Sequence, residues 1–212
     1  MVGQGALLAT RQDPRVTAVT LLARTPTGLT GGKVRELLCP DLLQLATLED
    51  QLGRPDACLF CAGVSSVGMS EPDYRRTTYD LTLAAADVLI RLNPAMAFLY
   101  VSGSGTDSTG KSRQMWARVK GETENALLHK GFATVALFRP GFIQPMDGVR
   151  SKTGWYNTIY TILRPIAPLA QRLLPRYATD TTTLGRAMVA AVQPGAPTRV
   201  YESDDINTLG QA

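Results

Sequence analysis

The sequence predicts an α/β fold with a doubly wound, mostly parallel sheet that forms one domain over residues 1–212. Short apolar runs alternate with helical patterns, which is typical of parallel strands joined by helices that cover both sheet faces. Hydrophobic residues make up 44% and charged residues 19% of the chain, the composition of a folded globular protein. A chain of 212 residues suits a single domain with a sizeable core.

Strands are predicted where short apolar runs stand between turn-forming residues. The strongest run covers residues 57–62, between Pro55-Asp56 and Gly63. The weakest covers residues 34–39. In chain order, the predicted strands cover residues 16–23, 34–39, 57–62, 97–102, 133–138 and 199–202.

Helices are predicted where apolar residues recur at helical spacing between cap signals. The clearest helix covers residues 70–92, where Ser70 can cap the first turn and Asp73 can complete a capping box. A second long helix, residues 112–130, is closed by Gly131. In chain order, the predicted helices cover residues 4–11, 42–52, 70–92, 112–130 and 182–192.

The charge balance excludes one class of partner. The formal net charge is +4 at pH 7, and the charges are scattered along the chain. A nucleic-acid-binding protein carries a clustered basic patch, so no nucleic-acid partner is expected. The mild excess of positive charge is also compatible with an anionic small ligand.

Cys39, Cys58 and Cys61 are too few for a disulfide framework in a chain of this length. Cys58 and Cys61 have C-x-x-C spacing, but residues three apart on a strand point to opposite faces. The sequence offers no further Cys or His cluster to complete a zinc site. We therefore expect buried structural thiols and no metal. The absence of a signal-peptide pattern favours a cytoplasmic location.

Residues 155–174 are apolar and about as long as a membrane span. Arg164 and Arg172 interrupt them, and an arginine near the centre of a span costs roughly 2.5–3.5 kcal/mol. Pro165 and Pro168 would break the helix. We therefore expect no transmembrane helix. A packed helical cap or a homodimer contact is favoured, and peripheral membrane attachment is the alternative.

Residues 1–5 resemble the second half of a glycine-rich turn that binds a dinucleotide. In that design a buried strand precedes the turn, and amides at the following helix start hold a pyrophosphate. We therefore expect this chain to lack the first strand of its sheet. Strands 16–23 and 57–62 would then have unpaired backbone groups between them. Three explanations stay open: a missed upstream start codon, which is favoured, direct pairing of the two strands, or another segment in the gap.

Four groups of residues carry the chemical signals, each at the end of a predicted strand or on the next helix. They are Gly3; Arg24; Cys61-Ala62-Gly63; and Ser102, Ser104, Trp116 and Lys120, followed by Arg139-Pro140-Gly141. In this order and spacing they resemble the short-chain dehydrogenase/reductase superfamily, in particular its extended and atypical NAD(P)-dependent epimerase/dehydratase-like members. The resemblance covers nearly the whole chain and implies a Rossmann-like fold.

The resemblance also implies a cofactor and its contacts. Gly3 matches the last glycine of the pyrophosphate-binding turn. Arg24 stands where an acidic residue would bind a free 2′-hydroxyl, and an arginine there pairs with a 2′-phosphate, which favours NADP over NAD. A surface arginine is the alternative. The resemblance also places Asp41 beside the adenine ring of the cofactor. It places Cys61-Ala62-Gly63 beside the nicotinamide ribose.

The implied active site departs from the family pattern at one position. The family uses a serine and a Y-x-x-x-K pair, in which the lysine binds the ribose and lowers the tyrosine pKa. Ser104 and Lys120 match, but Trp116 holds the tyrosine position, and an indole N–H cannot relay a proton. Arg139-Pro140-Gly141 is implied to line the nicotinamide pocket. Residues 142–180 are implied to form a small substrate cap.

Three functions follow as hypotheses. The first is an oxidoreductase or epimerase that acts on a small molecule, in which Lys120 fixes the ribose and Ser104 orients a carbonyl or hydroxyl. The second is a non-catalytic NADP-binding or sensing protein, as Trp116 suggests. The third is that this polypeptide binds no cofactor. His129, at the far end of its helix, is predicted to be a surface residue rather than a base.

Overall fold

The computed structural model describes residues 1–146, 177–193 and 198–211, and it confirms the α/β fold with a mostly parallel sheet. The strands are β1 Val19–Ala23, β2 Val34–Leu38, β3 Ala57–Phe60, β4 Ala97–Val101, β5 Thr134–Arg139, β6 Phe142–Gln144, β7 Ala178–Asp180 and β8 Arg199–Glu202. The α-helices are α1 Val2–Gln12, α2 Glu49–Leu52, α3 Glu71–Arg75, α4 Leu81–Leu92, α5 Met115–Leu128, α6 Thr181–Ala190 and α7 Ser203–Gln211. A 3-10 helix, Leu42–Leu48, precedes α2, and a π-helical turn, Arg76–Asp80, joins α3 to α4.

The strands form three parallel groups. The main group has the order β3-β4-β5-β8, and β1 pairs with β2 in a second group. The short strands β6 and β7 form the third. Within the described residues β1 pairs only with β2 and β3 only with β4, so the direct pairing of β1 with β3 is not found.

The core lies on both faces of the main sheet because alternate side chains of each strand point to opposite faces. On β4, Phe98 and Tyr100 pack into the cluster against α4 and α5, whereas Leu99 packs into the cluster against α1 and α6. Phe138 of β5 lies in the second cluster and stacks on Tyr201 at 4.9 Å between ring centroids. This two-sided core confirms the doubly wound prediction.

Helix α1 is held by a close crossing with α6. A Cβ built at Gly5 would lie 2.2 Å from the carbonyl oxygen of Thr181, and one at Gly185 would lie 2.4 Å from that of Gly5. Only glycine therefore allows the two backbones to approach this closely. Helix α1 also contacts β1 and β3, the strands on the two sides of the predicted gap.

Several predicted boundaries are wrong for local reasons. Helix α5 begins at Met115 rather than at residue 112, because Gln114 is extended and Ser112 belongs to a turn in which its N–H donates to Asp107 Oδ2 at 2.6 Å. The strand predicted over residues 16–23 begins at Val19. The helix predicted over residues 42–52 is mostly a 3-10 helix.

The sequence analysis missed β6, β7 and α7. Each of the two strands has three residues, too few to show an alternating pattern. Helix α7 did carry a signal, since Asp204 and Asp205 lie in its first turn, where acidic residues are favoured.

Two other predictions fall partly or wholly outside the described residues. Residues 155–174 lie outside them, and most of the cap expected over residues 142–180 does too. Within the part that the structure describes, no helix combines the length and apolarity needed to cross a bilayer.

Candidate functional site

The candidate site lies where the direction of strand succession reverses. β1 pairs with β2, β3 is followed across the main group by β4, β5 and β8, and α1 contacts both β1 and β3. We infer that the two groups extend in opposite directions from this junction. In open α/β sheets, ligands bind beyond the carboxyl ends of the strands at such a switch point. All four groups of residues singled out in the sequence follow strand ends or lie on helices beside them.

One part of this edge, the phosphate end, comprises the start of α1, Arg24 after β1 and Gly63 after β3. A Cβ built at Gly3 would lie 3.5 Å from Cys61 Cβ, so the α1 start adjoins the end of β3. Arg24 is exposed, and no hydrogen bond or ion pair to it is found among the described residues. A Cβ built at Gly63 would meet nothing within 4 Å. The phosphate end is therefore open and carries one uncommitted cation.

The other residues predicted near the cofactor have local partners. Asp41 accepts a hydrogen bond from Leu43 N at 3.0 Å and so caps the 3-10 helix. Cys58 packs into one core cluster and Cys61 against the other, which confirms that they point to opposite faces. Burial raises the pKa of each of these two thiols to about 12, so they are inert thiols at neutral pH.

The other part of the edge, the reaction end, comprises loop 102–112, Lys120, Glu124 and Arg139-Pro140. The Lys120 ammonium donates a hydrogen bond to the carbonyl oxygen of Ser102. Ser104 N–H donates to Pro140 O at 2.8 Å, which ties the loop to the end of β5. Gly103 has a φ of 149°, and a Cβ there would lie 3.9 Å from both Lys120 Nζ and Pro140 O. The structure thus brings Ser104, Lys120 and Pro140 together, and the Ser104 side chain is exposed.

The environment of Lys120 changes its acidity. Burial lowers its pKa to about 8, and the nearby negative charge of Glu124 opposes part of that shift. An ammonium with this pKa exchanges its proton close to neutral pH, unlike an ordinary lysine at about 10.4.

Trp116 lies against the same loop. A Cβ built at Gly105 would lie 3.4 Å from the indole ring, so the ring packs over the loop backbone. Its Nε1–H donates to Gln114 Oε1 at 2.6 Å. The indole N–H is therefore occupied by a hydrogen bond to a residue two positions earlier in the chain, and the ring has no other proton that it could transfer.

Glu124 is the residue of the reaction end that the sequence analysis missed. It is fully buried. Its Oε1 accepts from Ser102 Oγ at 2.6 Å and from Arg139 Nε at 3.0 Å. Its Oε2 accepts from Ser108 Oγ at 3.2 Å and from Arg139 Nη2. This carboxylate of α5 joins loop 102–112 to β5. The available signal was a Glu four residues after Lys120, on the same helix face.

The segment Arg139-Pro140-Gly141 is fixed on every side. Arg139 pairs with Glu124 and lies 3.6 Å from Glu202 on β8, so its guanidinium has protein partners. Gly141 N–H donates to Ser203 Oγ at 2.9 Å. A Cβ at Gly141 would lie 2.4 Å from the carbonyl oxygen of Tyr177, which explains the glycine.

Loop 102–112 also contains the pattern G-x-x-x-x-G-K-S over residues 105–112, the spacing of a phosphate-cradling loop. Its amides are already occupied by a carboxylate of the same loop. Asp107 accepts from Thr109 N at 2.9 Å and from Ser112 N at 2.6 Å. Hydrogen bonds from the Thr109 side chain and from these backbone amides lower the Asp107 pKa to about 2. The geometry is therefore that of a closed turn and not of a phosphate site.

His129 is exposed at the end of α5, where its Nδ1 lies 2.7 Å from Asn125 O. It lies on the surface, as predicted.

Comparison with known proteins gives a match in structure only. No protein-family model and no curated protein matches the sequence. UDP-glucose 4-epimerase of Thermotoga maritima, solved with UDP-glucose, is 11% identical with a TM-score of 0.67, covering 100% of this chain and 78% of that one. The Bordetella bronchiseptica enzyme WbmH, solved with NAD+, is 17% identical with a TM-score of 0.64, covering 95% of this chain and 72% of that one. RMD of Pseudomonas aeruginosa, solved with NADPH, is 19% identical with a TM-score of 0.54, covering 82% and 68%.

These likenesses establish the class of fold. The chain has a Rossmann-like α/β fold, similar to that of UDP-N-acetylglucosamine 4-epimerase of Bacillus cereus, WbmH and UDP-glucose 4-epimerase of Thermotoga maritima. The expected Rossmann-like fold is thereby confirmed.

Proposed function

We propose that this protein is an NAD(P)-dependent oxidoreductase or epimerase/dehydratase that acts on a small molecule. The observation that carries the proposal is the convergence of Ser104, Lys120 and Pro140 at the carboxyl ends of β4 and β5. Structures with the same fold contain NAD+ or NADPH. A hydroxyl, an amine and an open helix start along one edge suit a dinucleotide and a carbonyl or hydroxyl substrate.

The residues present fit a nicotinamide dinucleotide. The start of α1 offers backbone amides to a pyrophosphate. Arg24, exposed at the end of β1, suits a 2′-phosphate, so we propose NADP as the preferred cofactor. The open space at Gly63 leaves room for a ribose.

The chain's own groups would do the following work. Lys120 would hold the nicotinamide ribose, and the exposed hydroxyl of Ser104 would orient the substrate oxygen. A bound nicotinamide would supply the hydride chemistry. We also propose that residues 142–180 cover the substrate, that the protein acts in the cytoplasm, and that a homodimer forms through the apolar segment 155–174.

A second candidate function is non-catalytic NADP binding or sensing. The observation that favours it is Trp116, whose indole N–H is committed to Gln114 and whose ring cannot relay a proton. Turnover that disappears in Ser104→Ala would exclude this function.

Isothermal titration calorimetry of the full chain with NADP and NAD tests the proposal directly. We expect a micromolar dissociation constant for NADP and weaker binding of NAD. Absence of heat with both nucleotides would overturn both candidate functions and support a chain that binds no cofactor. A panel of aldehydes, ketones and nucleotide sugars with NADPH then separates the two functions, because only the first predicts oxidation of the cofactor.

A further inference from the structure

The Lys120 amine at the reaction end is half-buried, and no ion pair to it is found among the described residues. Glu124 is the nearest acid on the same helix, but its two oxygens already accept four hydrogen bonds from Ser102, Ser108 and Arg139. Within the described residues, the one hydrogen bond of Lys120 Nζ goes to the neutral carbonyl of Ser102. Because a lysine ammonium carries three N–H groups, two remain for a ligand.

We propose that Lys120 is itself the acid–base group of this site, giving a proton to, or taking one from, the oxygen of a carbonyl or hydroxyl substrate oriented by Ser104. This inference rests on the proposed function. It assigns to Lys120 the step that Trp116 cannot perform, since the indole has a donor but no usable acidity. Ser104 can orient an oxygen, but its hydroxyl is too weak an acid to supply the proton by itself.

The reduction balances as follows. The carbonyl carbon of the substrate gains a hydride from the reduced nicotinamide cofactor, and the carbonyl oxygen gains a proton from Lys120 Nζ. The products are an alcohol, the oxidised cofactor and a neutral amine at Lys120, which then takes a proton from water. The oxidation runs the same transfers in reverse.

The charges around Lys120 suit this role. Arg139 on β5 pairs with Glu124 and also interacts with Glu202 on β8. Asp107 is held by its own loop. Three ion pairs connect the helices packed against α5 to α5 or to the residues just after it: Arg75 with Glu122, Glu71 with Arg118, and Asp87 with Lys130. No ion pair to Lys120 is found among the described residues, and the charge of Glu124 offsets only part of the effect of burial on the Lys120 pKa.

Burial lowers the pKa of Lys120 to about 8, so both protonation states are accessible near neutral pH. The protonated form, which donates the proton in the reduction, predominates below pH 8, and its fraction falls above pH 8. Reduction is therefore expected to decline as pH rises through about 8, and oxidation to increase over the same range.

Competitive acetylation with trace acetic anhydride measures the amine without any cofactor. The full chain is labelled at a series of pH values, and each lysine is quantified by mass spectrometry. We expect the Lys120 profile to have its midpoint near pH 8, about two units below the 10.4 of an unperturbed lysine. A Lys120 midpoint within about half a unit of that unperturbed value would overturn the inference.

Matched variants test the transfer itself. Lys120→Arg keeps a donor and a positive charge but cannot deprotonate, so we expect cofactor affinity within about tenfold of wild type and a loss of turnover of roughly 10²–10⁴-fold. Lys130→Arg is the control and is expected to retain wild-type turnover. Turnover of Lys120→Arg within about tenfold of wild type overturns the inference.

The calorimetry distinguishes this failure from failure of the proposed function. Absence of nucleotide binding by the wild-type chain overturns the proposed function, and the proton-transfer role falls with it. Nucleotide binding without turnover on any substrate overturns the role of Lys120 alone and favours the non-catalytic function.

Discussion

The two parts of the switch-point edge differ in how their charges are satisfied. At the reaction end, Glu124 is fully buried and receives hydrogen bonds from Arg139 and two serines. At the phosphate end, Arg24 is exposed and without a partner among the described residues, and the space at Gly63 is open. The protein thus fixes the reaction end with its own groups, whereas the phosphate end offers its charge to a ligand. The predictions below test this difference.

The largest expected effect follows from removing the buried charge at the reaction end. Glu124→Gln removes the fully buried carboxylate and leaves the largely buried Arg139 cation with the more distant Glu202, at 3.6 Å. This should lower the free energy of unfolding by about 3–5 kcal/mol in urea denaturation. The control is Glu122→Gln on the same helix, whose ion pair with Arg75 is exposed and should contribute less than about 1 kcal/mol. Equal losses in the two variants would mean that the reaction end is not specially fixed.

A smaller effect is expected behind the phosphate end, where α1 crosses α6. Gly5→Ala would place a methyl group 2.2 Å from the carbonyl oxygen of Thr181, so the helices must separate. We expect a loss of about 1–3 kcal/mol in unfolding free energy. Gly63→Ala, with nothing within 4 Å of the added carbon, should change it by less than about 0.5 kcal/mol. Similar losses would show that the phosphate end is closed rather than open.

Arg24→Ala should affect a ligand and not the fold. A hydrogen bond to a charged group contributes about 1.5–3 kcal/mol, so the dissociation constant for NADP should rise roughly 10–100-fold. The constant for NAD and the unfolding free energy should stay unchanged, because Arg24 is exposed. Calorimetry with both nucleotides measures this. An equal loss of affinity for NADP and NAD would mean that Arg24 does not bind the 2′-phosphate.

The smallest effect concerns Asp107, whose pKa is lowered to about 2 by hydrogen bonds within its loop. A carboxyl whose pKa is lower in the folded state stabilises the fold above its unfolded pKa of about 3.9, and this contribution is lost as pH falls toward the folded value. Asp107→Asn should therefore flatten the acid limb of stability between about pH 4 and 2. A parallel shift at all pH values would instead indicate loss of the hydrogen bonds alone.

Some residues of the reaction end could be predicted from the sequence, and others could not. Lys120, Ser104 and Pro140 could be named because strand ends and one helical turn fix their neighbourhood. Glu124 could not, since a buried carboxylate is recognised only when its donors from loop 102–112 and β5 are in place. The start of α5 was predicted three residues early, because hydrogen bonds from Ser112 N to Asp107 and from Gln114 N to Ser112 Oγ form a turn before Met115.

The sequence by itself determined the order of most strands and helices, and with it the α/β fold, because apolar periodicity and turn residues are local properties of the chain. It also determined the departure at Trp116, since an indole lacks a titratable proton in any conformation. Only the tertiary structure decided that Asp107 closes the G-x-x-x-x-G-K-S turn and that Glu124 pairs with Arg139. It likewise decided that Lys120 is left with a neutral partner. The physical reason is that burial and charge pairing depend on contacts between segments far apart in the chain.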